Sequence, residues 1–362
     1  MPDRKVMSMP WDLASVLEEY DTDQLTLATV CSHSSLQIFN GARKEGIRTI
    51  GLCVGPPPRY YEAFPLGRPD EFLSLASWAD LPGILPVLRK KNAVLVPHGS
   101  FVEYVGTKRF AQLEVPVFGN RDVLEWESNR TMERQWLTSA GLRMPAFVED
   151  PRDIVKPVIV KYHGAKGGRG FFIAKSFQEF QRKIKPDEPY TIQEFVLGTR
   201  YYLHYFYSPV SQTGYRVRDG ALQLMSIDRR DETNIDEAHR LGSIRELEDI
   251  GIPPSFVVTG NIPMVIRESL LPKVFDMGAR TVTRAYEMFG GLWGPFCLET
   301  VVTEDLEFTT FEISGRIVAG TNPFVSGSPY ADLVQPGVST GQRIAQELRL
   351  AAKDDRLEAI LS

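Results

Sequence analysis

Residues 158–175 read VIVKYHGAKGGRGFFIAK, and the fold turns on how they are read. An apolar run enters the stretch and a second one leaves it. Between them, residues 161–170 hold four glycines and three cations, Lys161, Lys166 and Arg169. Strand-forming residues on both sides predict a hairpin rather than a strand-to-helix turn. The spacing excludes two common phosphate loops. GxxxxGK[ST] counted from Gly164 needs Gly-Lys where the chain has Arg169-Gly170, and GxGxxG counted from Gly168 needs glycine where the chain has Ile173. Gly164, Gly167, Gly168 and Gly170 let backbone N–H groups approach a ligand closely. With the cations they suit a flap that closes over phosphates. The plain alternative is a hairpin with a flexible tip, for which one glycine would serve.

The rest of the chain sets bounds on that reading. At 362 residues it exceeds the size at which one core stops growing, so two or more domains are expected. With 43% hydrophobic and 24% charged residues it has the material for packed cores. A formal net charge of −5 gives no basic excess, so a nucleic-acid partner is not expected and any anion site must be local. Cys31, Cys53 and Cys297 form no CxxC pair and read as buried thiols of a reducing compartment. No signal core opens the sequence and no run is long enough to span a membrane, so a cytoplasmic protein is expected. Residues 1–122 alternate strand and helix and predict a doubly wound parallel α/β domain. In it, "DLASVLEEYD" opens as a helix capped by Asp12, "FLSLASWADLPGILPVLRK" reads as helical and "VPVFGN" as a strand. "DVLEWESNRTMERQWLTSAGLRMP" reads as one long helix, and Pro272 starts or kinks a later one. Two further α+β units are expected, 123–200 carrying the glycine loop and 201–362 carrying an acidic hairpin.

That hairpin is "GPFCLETVVTEDLEFTTFEIS". A turn centred between Asp305 and Leu306 puts Glu299 opposite Glu312, with Cβ atoms roughly 5 Å apart. Phe296, Leu298, Phe311 and Ile313 would then face a core on the other side. Opposed carboxylates want a cation, and an oxygen-only pair suits Mg²⁺ shared with substrate phosphates. Arg316 could reach a phosphoryl group. The alternative is a solvated acidic strand face. "CSHSS" ends the first strand and enters a helix, whose free N–H groups bind anions with help from Ser32, Ser34, Ser35 and His33. "PHGS", with His98 and Ser100, ends a later strand of the same sheet. Ligands sit outside such strand ends, so both loops point to one small anion such as a ribonucleotide phosphate. Simple serine capping is the alternative. "QEFVLG", from Gln193 to Gly198, could lie against adenine or be a core strand. His204 is expected to pack among tyrosines.

Taken together, Lys161 with the loop HGAKGGRG, "EFV" at 194–196 and the pair Glu299/Glu312 resemble the ATP-grasp superfamily. The blocks "TVCSHSSLQIF", "HGSFVEYVG", "VKYHGAKGGRGFFIAK", "QEFVLGTRYYLHYFYSP", "SIDRRDE", "VTGN", "PFCLET" and "FEIS-RIVAGTN" resemble more closely the archaeal-type formate-dependent 5-formaminoimidazole-4-carboxamide ribonucleotide (FAICAR) synthetases. The likeness runs from about Leu25 to the end of the sequence. It implies an α/β ATP-grasp fold in which a doubly wound domain precedes two ATP-grasp subdomains. It also implies a ligase of purine biosynthesis that formylates aminoimidazole carboxamide ribonucleotide (AICAR) with formate and ATP.

The resemblance assigns residues as well. Lys161, His163, Gly164, Lys166, Gly167, Gly168, Arg169 and Gly170 would hold ATP phosphates. Gln193, Glu194, Phe195 and Val196 would lie by adenine and Glu232 by the ribose. His33, Ser34, Ser100 and Asn261 would contact AICAR. Glu299 and Glu312 would bind Mg²⁺ or Mn²⁺. Arg316 would act on the acyl phosphate, with His33 as a second catalytic group. Many superfamily members follow the second glutamate with x-Asn; Ser314 stands here instead, which leaves the third metal ligand open. A basic residue expected on the helix of "NRTMER" is Arg130 or Arg134. A homo-oligomer without nucleic-acid or membrane partners is implied. Another carboxylate–amine ligase of the superfamily, or a nucleotide-binding module without turnover, remains the alternative.

Overall fold

The structure, a computed structural model, describes residues 12–162, 171–185, 187–243, 250, 252 and 255–362. The glycine loop assigned from His163 to Gly170 lies outside the described residues.

The first unit is built on a parallel sheet. Helix α1 (Leu13–Glu18) begins where the Asp12 carboxylate accepts the Ala14 N–H at 3.2 Å. Then follow β1 (Thr26–Val30), α2 (Ser35–Lys44), β2 (Arg48–Val54), β3 (Glu71–Leu75), α3 (Leu81–Lys90), β4 (Ala93–Leu95) and α4 (Thr107–Ala111). The strand order is β3-β2-β1-β4, all parallel. The winding therefore reverses at β1, and the crevice outside the ends of β1 and β4 is the switch point where ligands of such sheets bind. That crevice receives both "CSHSS" and "PHGS".

Two expectations need correction here. "FLSLASWADLPGILPVLRK" is not one helix: its start is β3, paired with β2, and α3 begins only at Leu81. A reciprocal cap between Ser77 and Asp80 separates them, with Ser77 N–H donating to Asp80 Oδ2 at 2.8 Å and Ala79 N–H to Ser77 Oγ at 3.2 Å. "VPVFGN" contributes two isolated bridges, Leu95 to Val117 and Phe118 to Leu361, rather than a full strand.

The long helix expected after residue 122 is broken as well, into α5 (Val123–Ser128) and α6 (Arg130–Ser139). Asn129 is extended between them, and its Oδ1 caps the Thr131 and Met132 N–H groups at 3.1 and 3.2 Å.

Strands β5 (Val158–Tyr162) and β6 (Phe171–Ala174), helix α7 (Phe177–Lys183) and β7 (Tyr190–Glu194) make a small antiparallel sheet, order β6-β5-β7. Its core is Ile154, Val158, Val160, Ala174, Phe180 and Ile192.

The largest sheet comprises β8 (Thr199–Ser208), β9 (Tyr215–Val217), β10 (Gly220–Glu232), β11 (Val258–Pro263), β12 (Gly294–Val302) and β13 (Phe308–Ser314). Its path is β11-β10-β8-β12-β13, with β9 paired to β10. Helices α8 (Ile235–Leu241), α9 (Leu271–Phe289) and α10 (Thr340–Lys353) accompany it, and Pro272 lies in the first turn of α9, where it starts the helix.

Strand alternation gives this sheet two different faces. Leu203, Tyr205, Leu222, Leu224, Phe296, Leu298 and Ile313 pack on Val274 and Met277 of α9 and on Trp136 of α6. Each such buried side chain contributes roughly 1.5–3 kcal/mol. The opposite face carries Tyr202, His204, Asp228, Arg230, Cys297, Glu299 and Glu312.

The first unit sits against that polar face. Helices α2 and α10 cross so closely that a Cβ on Gly41 would fall 2.2 Å from Gln342 N, so glycine is required there. Gln37 Nε2 donates to Thr321 Oγ1 at 2.5 Å and to Asn322 Oδ1 at 2.9 Å. His98 bridges Ile317 in a parallel pairing. Among the described residues no helix is long and apolar enough to cross a membrane.

Candidate active site

The acidic hairpin closes in the expected register: Glu299 pairs with Glu312, Leu298 with Ile313 and Cys297 with Ser314. The turn reaches that register by a different route. Its own symmetry is centred on Asp305, pairing Val302 with Phe308 and Thr300 with Thr310, and Leu306 adopts φ +60°. A bulge between Glu299 and Thr300 absorbs the one-residue difference. Phe311, expected on the core face, is therefore rotated to the polar face, where it packs with Tyr202, Cys297 and Val318. Bulges beside active sites re-aim side chains in this way.

Both carboxylates are held by cations. Arg230 grips Glu299 through Nη2–Oε1 at 2.7 Å and Nη1–Oε2 at 3.3 Å, and its guanidinium lies 3.7 Å from the Tyr202 ring centroid. Burial first, and then the facing Glu312, raise the Glu299 pKa, while Arg230 opposes them. Arg130 Nη1 lies 3.4 Å from Glu312 Oε2. Among the described residues no cluster of three or more His, Cys, Asp or Glu side chains forms a metal cage. Two opposed carboxylates, already engaged by cations, fit an ion that arrives on phosphate oxygens rather than a dedicated all-protein site.

Two buried glutamates brace the strand that carries Glu312. Glu133 of α6 accepts the Ile313 N–H at 2.9 Å, and burial, then Glu312, push its carboxyl up to about 8. Glu127 of α5 accepts the Gly315 N–H at 2.5 Å and Arg316 Nε–H at 3.2 Å. Burial raises the Glu127 pKa and Arg316 opposes it. The helix break at Asn129 lets each glutamate come from its own helix.

The small sheet faces this cleft through Lys161. Its side chain reaches solvent, yet desolvation, followed by Arg130 and Arg200, lowers its pKa, with Glu312 acting the other way. Glu232 ends β10 and pairs with Arg200 at 3.2 Å. Glu194 turns to Arg143 at 3.2 Å, and Gln193 bridges Phe147. Phe195 N–H donates to Pro157 O at 3.1 Å, and both Phe195 and Val196 are partly buried. Of the two basic candidates on α6, Arg134 stacks 3.8 Å from the Phe147 ring and donates to Pro145 O at 2.8 Å. Only Arg130 faces the acidic pair.

The switch-point loops lie alongside. Ser34 is in the left-handed region at φ +65° and makes no capping bond, so serine capping does not explain this loop. Its Oγ is 3.1 Å from His33 Nδ1. The His33 and His98 rings are 4.6 Å apart. Burial, then Arg316, pull His33 down to about 4, and burial pulls His98 to about 3, so both are neutral at pH 7. His98 donates from Nε2 to Val30 O at 3.0 Å and accepts the Ser100 N–H on Nδ1 at 3.3 Å. A Cβ on Gly99 would lie 2.9 Å from His33 Nε2 and 3.4 Å from Arg316 Cζ. Arg316 thus sits between Glu127 and His33, linking the loops to the acidic hairpin.

Asn261, on β11 opposite Arg230, donates Nδ2–H to Asp228 Oδ2 at 2.8 Å. His204 does not simply pack among tyrosines; its Nε2 bonds Asp228 Oδ1 at 2.6 Å.

Arg230, Glu127, Glu133 and Asp228 were missed in the sequence reading. For Asp228, Arg230 and Glu232 a signal was present: they alternate on one face of a single strand. Nothing local marked Glu127 or Glu133.

Known proteins match the chain over most of its length. A 5-formaminoimidazole-4-carboxamide-1-(beta)-D-ribofuranosyl 5′-monophosphate synthetase of Methanococcoides burtonii is 59% identical over 350 residues, 97% of this chain and 98% of the relative. The chain belongs to this synthetase family. A relative of the same name from Pyrococcus abyssi is 48% identical over 93% of this chain and 98% of its own. Family models described as "Protein of unknown function (DUF1246)" and "Domain of unknown function (DUF1297)" match residues 27–148 and 180–362. Among solved structures, the IMP biosynthesis protein PurP from Thermococcus kodakaraensis superposes with TM-score 0.72 at 28% identity, covering 93% of this chain and all of that one. The ADP complex of an N5-carboxyaminoimidazole ribonucleotide synthetase superposes with TM-score 0.60 at 14% identity over 91% of this chain and 77% of its own, a likeness of fold. The fold is ATP-grasp, and a FAICAR synthetase of IMP biosynthesis is a ligase.

Proposed function

We propose that this ligase activates formate with ATP as formyl phosphate and transfers the formyl group to the 5-amino group of AICAR, releasing ADP and phosphate. The reading is carried by one observation: Arg316 stands between the Glu299/Glu312 pair and the His33 and Gly99 loops, so phosphate chemistry and a ribonucleotide share one cleft.

Formate is anionic and has no good leaving group, so an amine does not attack it. In the first step a formate oxygen bonds to the γ-phosphorus and the bond to ADP breaks. In the second, the amine nitrogen bonds to the formyl carbon, the carbon–oxygen bond to phosphate breaks, and the nitrogen gives up a proton. The chain's tasks are positioning and charge neutralisation. Lys161 and Arg200 face the cleft as cations for phosphate oxygens. Gln193 to Val196 and Glu232 are the adenine and ribose neighbours. Arg316, fixed by Glu127, presents its Nη groups to the acyl phosphate. Neutral His33 offers an unprotonated nitrogen to the amine. A magnesium or manganese ion carried on the nucleotide would rest on Glu299 and Glu312 and draw charge from the β- and γ-phosphates. The family likeness also supports a cytoplasmic homo-oligomer.

His33→Ala raises the KM for AICAR about 10- to 100-fold and that for ATP by less than about 3-fold. Steady-state kinetics with each substrate varied checks this, and equal losses would make His33 merely structural. Product analysis tests the reading itself: ADP release over repeated turnovers must need formate and AICAR together. Release with a different carboxylate or amine, and not with these, would reject it.

A further inference from the structure

We infer that Asp228 is a positioning residue that fixes the amide of Asn261, so that Asn261 meets the ribonucleotide as a hydrogen-bond acceptor. The inference rests on the proposed contact between Asn261 and AICAR.

Asp228 is fully buried at the centre of the large sheet, and each of its oxygens has one side-chain donor. His204 Nε2 lies 2.6 Å from Oδ1, and Asn261 Nδ2 lies 2.8 Å from Oδ2. An ionised carboxylate only accepts, so the nitrogen of Asn261, not its oxygen, must face Asp228. The amide cannot flip without putting two acceptors in contact. His204 Nδ1 is buried without a partner, and the carboxylate can only accept, so the bond to Asp228 is donated by Nε2–H. His204 therefore secures Asp228 from behind. Burying a carboxylate is costly, and packing alone would favour an apolar side chain at this position.

The network is joined to the ribonucleotide loop. A Cβ on Gly320 would lie 2.2 Å from Asp228 Oδ1 and 2.7 Å from His204 Nε2, so the turn at Ala319–Phe324 closes directly over the pair. Thr321 and Asn322 of the same turn are held by Gln37 of α2, the helix that begins beside Ser34. With Nδ2 engaged, the half-buried Asn261 keeps Oδ1 for a donor outside the network. The negative charge behind the amide polarises it and strengthens that oxygen as an acceptor. The matching chemistry on the ligand is an N–H donor, which the amino and carboxamide groups of AICAR both supply.

Calorimetry with AICAR and, separately, ADP tests this on the full chain. Asp228→Asn frees the Asn261 amide to turn, and should weaken AICAR binding about 10- to 50-fold while ADP binding stays within about 2-fold. Exchanging the two groups, Asp228→Asn with Asn261→Asp, restores an N–H facing a carboxylate and leaves a carboxylate oxygen as the outward acceptor. The double variant should recover at least about 5-fold of the lost AICAR affinity. Unchanged AICAR binding in Asp228→Asn overturns the inference, as does a double variant no better than the single with ADP binding intact. If Asp228→Asn fails to fold, the double variant decides: AICAR affinity within about 10-fold of wild type supports the inference, and a larger loss with normal ADP binding contradicts it. Failure of the wild type to formylate AICAR would instead reject the proposed function.

Discussion

Glu312→Gln lowers kcat by about 10²- to 10³-fold while leaving the protein as stable as the wild type or slightly more so. The two halves of that expectation have different causes. Glutamine keeps the shape and one acceptor but removes the charge that, with Glu299, makes the hairpin the proposed cation site. The Glu312 side chain is 39% exposed and its partner Arg130 79% exposed, so the lost ion pair contributes little to folding. The substitution also relieves buried Glu299 of the charge opposite it. A side chain present only to hold the hairpin would show the reverse pattern, normal turnover with lower stability. Steady-state kinetics beside thermal unfolding separate the cases, and near-wild-type kcat would remove Glu312 from the site.

Arg316→Lys should cost about 10²-fold in kcat/KM even though the charge is kept. Arg316 does two things at once. Its Nε–H bonds Glu127 at 3.2 Å, and its guanidinium lies against Gly99 beside His33. Lysine carries a single nitrogen and cannot hold Glu127 while reaching an acyl phosphate with a planar fork. The Glu127 side chain is only 5% exposed, so weakening its partner also costs stability, because a buried carboxylate loses most of its compensation. Kinetics and unfolding on one preparation check both effects. Near-normal kcat/KM would show that Arg316 serves structure alone.

The parts of the site that could be read from the sequence were those set by local period. Alternation along β12 and β13 placed Glu299 and Glu312 on one face, and the pairing followed. The hairpin reached that register through a shorter turn plus a bulge, which is why Phe311 lies on the other face from the one expected. Strand β3 was hidden inside a segment with helical spacing, and the break at Asn129 inside a longer helical pattern; in each case a side-chain cap decided the boundary. Glu127 and Glu133 take their importance from backbone groups some 180 or more residues away, so nothing near them in sequence marks them. Arg230 lies on β10, yet its partner Glu299 is 69 residues distant and reached only when the sheet assembles. The cation–glycine loop carried most of the sequence reading and lies outside the described residues.

The central claim is that formate is activated as formyl phosphate in this cleft. Formate labelled with heavy oxygen, turned over with ATP and AICAR, tests it by mass spectrometry of the released phosphate. The account predicts that every formyl transfer leaves an oxygen from formate on inorganic phosphate. FAICAR formed while the phosphate remains unlabelled would contradict it.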